Sequence, residues 1–134
     1  MRSIVLYLLF FLLPVNVCLA NDPVRDALRD YMEFADYSDG AISVEQLMEV
    51  GLEAFHLVDT RLPDQFDVDH LPGAMNIEWR EIVAREDEIP AGKTVVLYCD
   101  TGLLSSKAHF ALRLLGYDNV KALSGGLNSW KRLY

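Results

Sequence analysis

Cys99 closes the apolar run in "VVLYCDTGLLSS", residues 95–106, and stands three positions before Gly102 and the helix-like "SSKAHFALRLLG". A thiol at a strand end beside a helix start meets unpaired backbone N–H groups and the positive end of the helix macrodipole. Both favour an anion, so a thiolate is stabilised in that position. Gly102 can adopt backbone angles closed to other residues, which lets the six residues "CDTGLL" curl with successive amides turned inward. A curl of that kind would cradle a sulfur anion or a small oxyanion and make Cys99 a nucleophile. The same pattern also fits an inert cysteine capping a core strand, since free cysteine is among the most buried residue types. Strand, cysteine, glycine turn and helix weigh the two readings equally.

The elements that must position Cys99 follow from hydrophobic periodicity. "AFHLVDT", "KTVVLYC" and "VKAL" read as buried strands, with "GAIS" and "AMNI" as shorter ones. Between them, "PVRDALRDYMEFA" sets Val24, Leu28, Tyr31 and Ala35 on one helical face, opened by Asp22 and Pro23. Ser43 and Gln46 form a capping box for "VEQLMEVG". "EWREIVARED" carries helical spacing through Trp79, Ile82 and Val83, and "GGLNSWKRLY" ends in a short helix. "LPDQFDVDHLPG" reads as a turn-rich connection. Strands and helices alternate, and the strands are apolar on both faces. That predicts an α/β fold, a parallel sheet flanked by helices on both faces. Ligands of such sheets bind beyond the carboxyl ends of the strands, where Cys99 falls.

The 134 residues predict one domain behind an N-terminal targeting segment. Arg2 is followed by an apolar run over residues 4–13, Pro14 breaks it, and Cys18-Leu19-Ala20 supplies small residues at a cleavage site after Ala20. Residues 1–20 are therefore expected to be a cleaved signal peptide and residues 21–134 the exported, periplasmic domain. The rival is an uncleaved anchor formed by residues 4–19, which is short of the roughly 20 apolar residues that span a bilayer. Cleavage leaves 11 basic against 20 acidic residues, a net charge of −9. Such a surface excludes nucleic acid and stable insertion in an anionic membrane as expected associations. Cleavage also removes Cys18, so Cys99 becomes the only cysteine and no intramolecular disulfide can form.

Three blocks carry a resemblance to a known family. "LVDTRLPDQFDVDHLPGAMNI" resembles the rhodanese signature, in which a strand ends in Asp-x-Arg and His-Ile-Pro-Gly-Ala-x-Asn-Ile follows. "VVLYCDTGLLS" resembles its active-site segment, and "LSGGLNSW" its closing Gly-Gly-x-x-x-Trp; the blocks keep the family's order from Leu57 to Trp130. The resemblance implies a sulfurtransferase of the single-domain, exported thiosulfate type. Cys99 would take the outer sulfur of a donor, thiosulfate or a thiol persulfide, and hold it as a persulfide. A thiophilic acceptor such as cyanide, a small thiol or a thiol protein would then receive it. It implies Cys99 as the catalytic residue and Asp100, Thr101, Gly102, Leu103, Leu104 and Ser105 as the substrate-binding loop. Asp59, Arg61 and Lys107 support that loop, and neither metal nor organic cofactor is required. Related cysteine phosphatases use a longer loop closed by an arginine; six positions after Cys99 stands Ser105, which argues against that chemistry.

The loop departs from the family at two positions, where arginines are common and this chain has Asp100 and Leu104. Asp100 opposes a thiosulfate dianion, Leu104 brings no charge, and Lys107 is the only cation close in sequence. Two rivals follow: a silent rhodanese module that binds a partner protein, and a redox thiol that forms mixed disulfides but lacks a resolving cysteine. Asp59 and Arg61 read as a structural ion pair at a strand end, and His70 as a hydrogen-bonding residue of its turn. Ser105 and Ser106 read as loop donors or helix caps. Ser106, His109 and Arg113 share the polar stripe of one helix, and His56 lies in a strand without partners at metal-ligand spacing. Trp79 and Trp130 read as core, and the acidic residues 85–88 as solvated surface.

Overall fold

The computed structural model describes residues 22–36 and 40–134, so the expected signal peptide lies outside the described residues. Its elements are α1 (Pro23–Phe34), β1 (Ala41–Ile42), α2 (Val44–Val50), β2 (His56–Asp59), α3 (Pro63–Val68), β3 (Met75–Asn76), β4 (Val95–Tyr98), α4 (Leu103–Leu114), β5 (Val120–Leu123) and α5 (Gly126–Leu133). The strands form one sheet in the order β1-β5-β4-β2-β3, and every pairing is parallel. This is the expected α/β architecture.

Side chains alternate across the pleat, and that alternation divides the core in two. Val96 and Tyr98 of β4 join Leu57, Leu47, Leu123 and Leu127 under α2 and α5. Val95 and Leu97 join Val58, Ile77, Ala108 and Leu112 under α4. Because β4 is central and fully buried, the position following it is fixed by both layers. Cys99 occupies that position. Among the described residues no helix is long and apolar enough to cross a membrane.

Three local expectations are corrected. The helix α1 forms, but its face of Val24, Leu28, Tyr31 and Ala35 buries no residue fully; Tyr31 meets Phe110 of α4 edge-on, with ring centroids 4.9 Å apart. The helical spacing of "EWREIVARED" yields successive turns ending in a 3₁₀ turn at Glu86–Glu88. There the Glu78 carboxylate takes the Arg80 N–H at 2.9 Å and the Glu78 carbonyl takes the Glu81 N–H at 2.8 Å, so tight turns open the segment in place of a regular helix. The connection after β2 contains α3, a six-residue helix with Pro63 in its first turn, where a missing N–H does no harm. Trp79 and Trp130 are half-buried and pack against the two halves of the core, as expected of core residues.

Candidate active site

β2 and β4 run side by side, with Asp59 opposite Tyr98, so the segments that leave their carboxyl ends emerge together. Thr60 ties them, donating its N–H at 2.8 Å and its hydroxyl at 3.0 Å to the Tyr98 carbonyl. Asn76, at the end of β3, donates to the carbonyls of Asp59 and Arg61 at 3.0 and 2.9 Å. The turn carrying Arg61 is thereby held from two sides.

Arg61 spends its donors on three carboxylates. Its Nε reaches both Asp59 oxygens at 3.0 and 3.1 Å, and its Nη2 reaches Asp59 Oδ2 at 2.6 Å and the Asp69 carbonyl at 2.7 Å. Its Nη1 reaches Asp100 Oδ1 at 3.0 Å and Asp69 Oδ1 at 3.3 Å. Both Asp59 and Arg61 are buried. Burial alone would lower the Arg61 pKa, but the bonds and charge of Asp59, then Asp100 and Asp69, outweigh it and the net direction is upward. The expected Asp59–Arg61 pair is therefore present. What sequence reading missed is its reach to Asp100, and the role of Gln65, whose Nε2 donates to the other Asp100 oxygen at 3.1 Å. No local signal announces either contact, since 39 and 35 residues separate the partners.

Asp59 also bears on Tyr98 beneath it. Burial, and then the Asp59 carboxylate, push the Tyr98 phenol well above its ordinary value, while the hydroxyl accepts the Leu71 N–H at 3.0 Å.

The cysteine loop is shaped at both ends. Gly102 takes φ +95°, ψ −12°, a left-handed conformation that lets the chain turn straight into α4. The N–H of Gly102 donates to Cys99 Sγ at 3.2 Å, and the Ser105 hydroxyl approaches the same sulfur at 3.8 Å while bonding the Gly102 carbonyl at 3.1 Å. Ser106 caps that carbonyl at 2.7 Å. At the other side, the first amides of α5 hold the loop from behind: Leu127 N–H donates to the Cys99 carbonyl at 2.8 Å and Asn128 N–H to the Asp100 carbonyl at 3.0 Å. A planar trans peptide sets its C=O and N–H antiparallel, so the N–H groups of Asp100 and Thr101 point away from α5. Of the six loop amides expected to ring the sulfur, Gly102 is the one bonded to it. Cys99 itself is 2 % exposed and forms the floor of the loop, whereas Thr101 and Leu103 are exposed at its rim.

The other expected residues fall as follows. Lys107 is turned to Trp79, with Nζ 5.0 Å from the ring centroid, so the cation joined to the loop is Arg61 rather than Lys107. Leu104, in the first turn of α4, brings no charge. His70 donates through Nδ1 to the Phe66 carbonyl at 2.8 Å and stacks on that ring, a role within its own turn. His109 leaves the expected polar stripe: it is buried, because the absent Cβ of Gly40 makes room for its ring. His56 Nε2 lies 3.0 Å from Met75 Sδ; burial and then Lys93 lower its pKa. Among the described residues no three His, Cys, Asp or Glu side chains gather as a metal site.

At the outer edge of the network Asp69 also pairs with Lys131 of α5. The Lys131 hydrogen bond lowers the Asp69 pKa, burial opposes it, and Arg61 adds to the lowering. A carboxylate with a depressed folded pKa stabilises the protein fully above its unfolded value and loses that contribution as pH falls through the folded one. Lys131→Ala should therefore lower the unfolding free energy at pH 7 by less than about 1 kcal/mol, since the pair is half exposed. The difference from wild type should begin to shrink below about pH 4, the ordinary carboxylate value, and vanish only once the pH has fallen through the lowered folded value. Urea midpoints measured across that range check it; a difference unchanged in acid would contradict it.

Comparison with known proteins follows the same outline. The family profile described as "Rhodanese-like domain" matches residues 41–133, more than half of the chain. YqhL of Bacillus subtilis is 34 % identical over 86 residues, covering 64 % of this chain and 68 % of that protein. A sulfurtransferase of Allochromatium vinosum is 37 % identical over 76 residues, covering 57 % of this chain and 71 % of that protein. The chain spans only 31 % of a longer relative, the adenylyltransferase and sulfurtransferase UBA4 of Meyerozyma guilliermondii, to which it is 30 % identical over 133 residues. Among solved structures, a rhodanese-related protein of Thermoplasma volcanium superposes with a TM-score of 0.65 at 25 % identity, over 69 % of this chain and 91 % of that one.

Proposed function

This chain belongs to the rhodanese-like domain family, and from that membership we propose that it is a sulfurtransferase carrying sulfane sulfur as a persulfide on Cys99. A relative named as a sulfurtransferase supports the general activity. The observation that carries the assignment to Cys99 is its place between β4 and α4, with Sγ accepting from the Gly102 N–H.

The reaction divides into two displacements at sulfur. The Cys99 thiolate attacks the outer sulfur of the donor, a sulfur–sulfur bond forms, and the donor's own S–S bond breaks. Its electron pair leaves as sulfite from thiosulfate, or as a thiolate from a thiol persulfide. Cyanide or an acceptor thiolate then attacks the outer sulfur of the Cys99 persulfide and returns the thiolate of Cys99. The N–H groups of Asp100, Thr101 and Gly102 and the first turn of α4 are the groups available to hold the transferred sulfur and the departing anion. With residues 1–20 read as a signal peptide, the chemistry belongs to an exported protein.

Incubating the protein with a donor and cyanide tests the activity. Thiocyanate should accumulate, and Cys99→Ser should reduce its rate by at least about a thousandfold, as for loss of a nucleophile elsewhere. A second reading is a silent module that binds a partner protein, and the burial of Cys99 favours it. Folded wild-type protein that yields no thiocyanate from either donor class would decide for that reading.

A further inference from the structure

Resting on the sulfurtransferase reading, we infer that Asp100, held at both oxygens by Arg61 and Gln65, is the specificity-determining residue of this site and selects donors by charge. Sulfur enters from persulfides of small thiols that carry no net negative charge, and dianionic thiosulfate is turned away.

The inference comes from how the charges around the loop are matched. Asp59 is buried completely and claims Arg61 through Nε and Nη2, with a closest approach of 2.6 Å. Asp69 is matched by Lys131. The network thus sets Asp59, Asp69 and Asp100 against Arg61 and Lys131, which leaves one negative charge over. Asp100 is the member that follows the nucleophile directly, and its side chain is 42 % exposed. Arg61 cannot receive an incoming anion, because every one of its nitrogens already faces a carboxylate or carbonyl and its side chain is 4 % exposed. An arginine that could bind an anionic donor is instead used to hold a carboxylate in place.

Position matters as well as charge. A free aspartate would swing into solvent, where screening weakens its effect. Gln65, from α3, and Arg61 fix the two Asp100 oxygens at 3.1 and 3.0 Å. They make Gln65 a positioning residue. Beside these two anchors lies a cleft of about 360 Å³ lined by Arg61, Asp64, Gln65, Val68, Asp69 and Lys131.

The test measures sulfur uptake by Cys99 from a charge series: cysteamine persulfide, 3-mercaptopropionate persulfide and thiosulfate. Coulomb's law for one fixed charge at several ångströms in a watery mouth predicts about a tenfold rate difference between the two persulfides, whose carrier groups differ by two charges, with dianionic thiosulfate at the slow end of the series. Asp100→Asn should compress the series to within about threefold, Asp100→Glu should preserve it, and Gln65→Leu should compress it partly. Independently of any variant, raising salt to about 0.5 M should narrow the wild-type series. Equal rates along the series, or a series insensitive to both salt and Asp100→Asn, would overturn the inference while leaving the sulfurtransferase intact. No uptake from any donor would remove both.

Discussion

Arg61→Met should destabilise the fold by about 3–5 kcal/mol, the range measured when one partner of a buried ion pair is removed. The variant leaves Asp59, which is 0 % exposed, without its bidentate cation. It also removes the donor to the Asp69 carbonyl and one of the two anchors of Asp100. A domain of this size has only about 5–15 kcal/mol in total, so much of the stability would go with one side chain. Urea unfolding of Asp59→Leu, Arg61→Met and the double variant measures the effect. Replacing both partners by apolar groups leaves no buried charge, so the double variant should be more stable than Arg61→Met alone. A double variant as unstable as the sum of the singles would show that the other bonds of Arg61, not the pair, carry the effect.

Gly126→Ala should cost about 3 kcal/mol and misplace the cysteine loop. Gly126 sits at φ +59°, a left-handed conformation, and a Cβ there would be driven into the Cys99 carbonyl oxygen and lie 2.8 Å from the Asp100 carbonyl carbon. Those atoms are backbone and cannot rotate away. The same carbonyls accept the Leu127 and Asn128 N–H groups, so any relief of the clash pulls the first turn of α5 off the loop. Thiocyanate formation by the folded fraction should fall together with stability. Full activity in a variant destabilised by less than about 1 kcal/mol would mean that α5 does not hold the loop.

The site was legible in sequence where a few neighbouring residues determine the geometry. Val95–Tyr98, Gly102 and the helical spacing after it place Cys99 at a strand end beneath a helix start, and the structure agrees. The parallel sheet followed from strands apolar on both faces and separated by helices. Contacts between distant segments were not legible. Asp100 reads from the sequence as a charge opposing a thiosulfate dianion, but its anchoring by Arg61 and Gln65 does not. Lys107, the only cation close to the loop in sequence, instead covers Trp79. His109 fitted a polar stripe by spacing alone, but a glycine on another segment buries it. Periodicity also overstated two elements: it marks which side chains could share a face, not whether anything covers that face. The apolar side of α1 stays largely exposed, and the Glu78 carboxylate diverts the backbone after β3 from a helix into turns. The burial of Cys99, finally, follows from two packed layers on β4 that no local pattern counts.

Intact-mass measurement after a single exposure to donor, with no acceptor present, tests the persulfide most directly. Wild-type protein should gain the mass of one sulfur atom, lose it again on addition of cyanide, and show no gain in Cys99→Ser. A wild-type mass unchanged by thiosulfate and by every thiol persulfide, or a gain that survives in Cys99→Ser, would contradict the account.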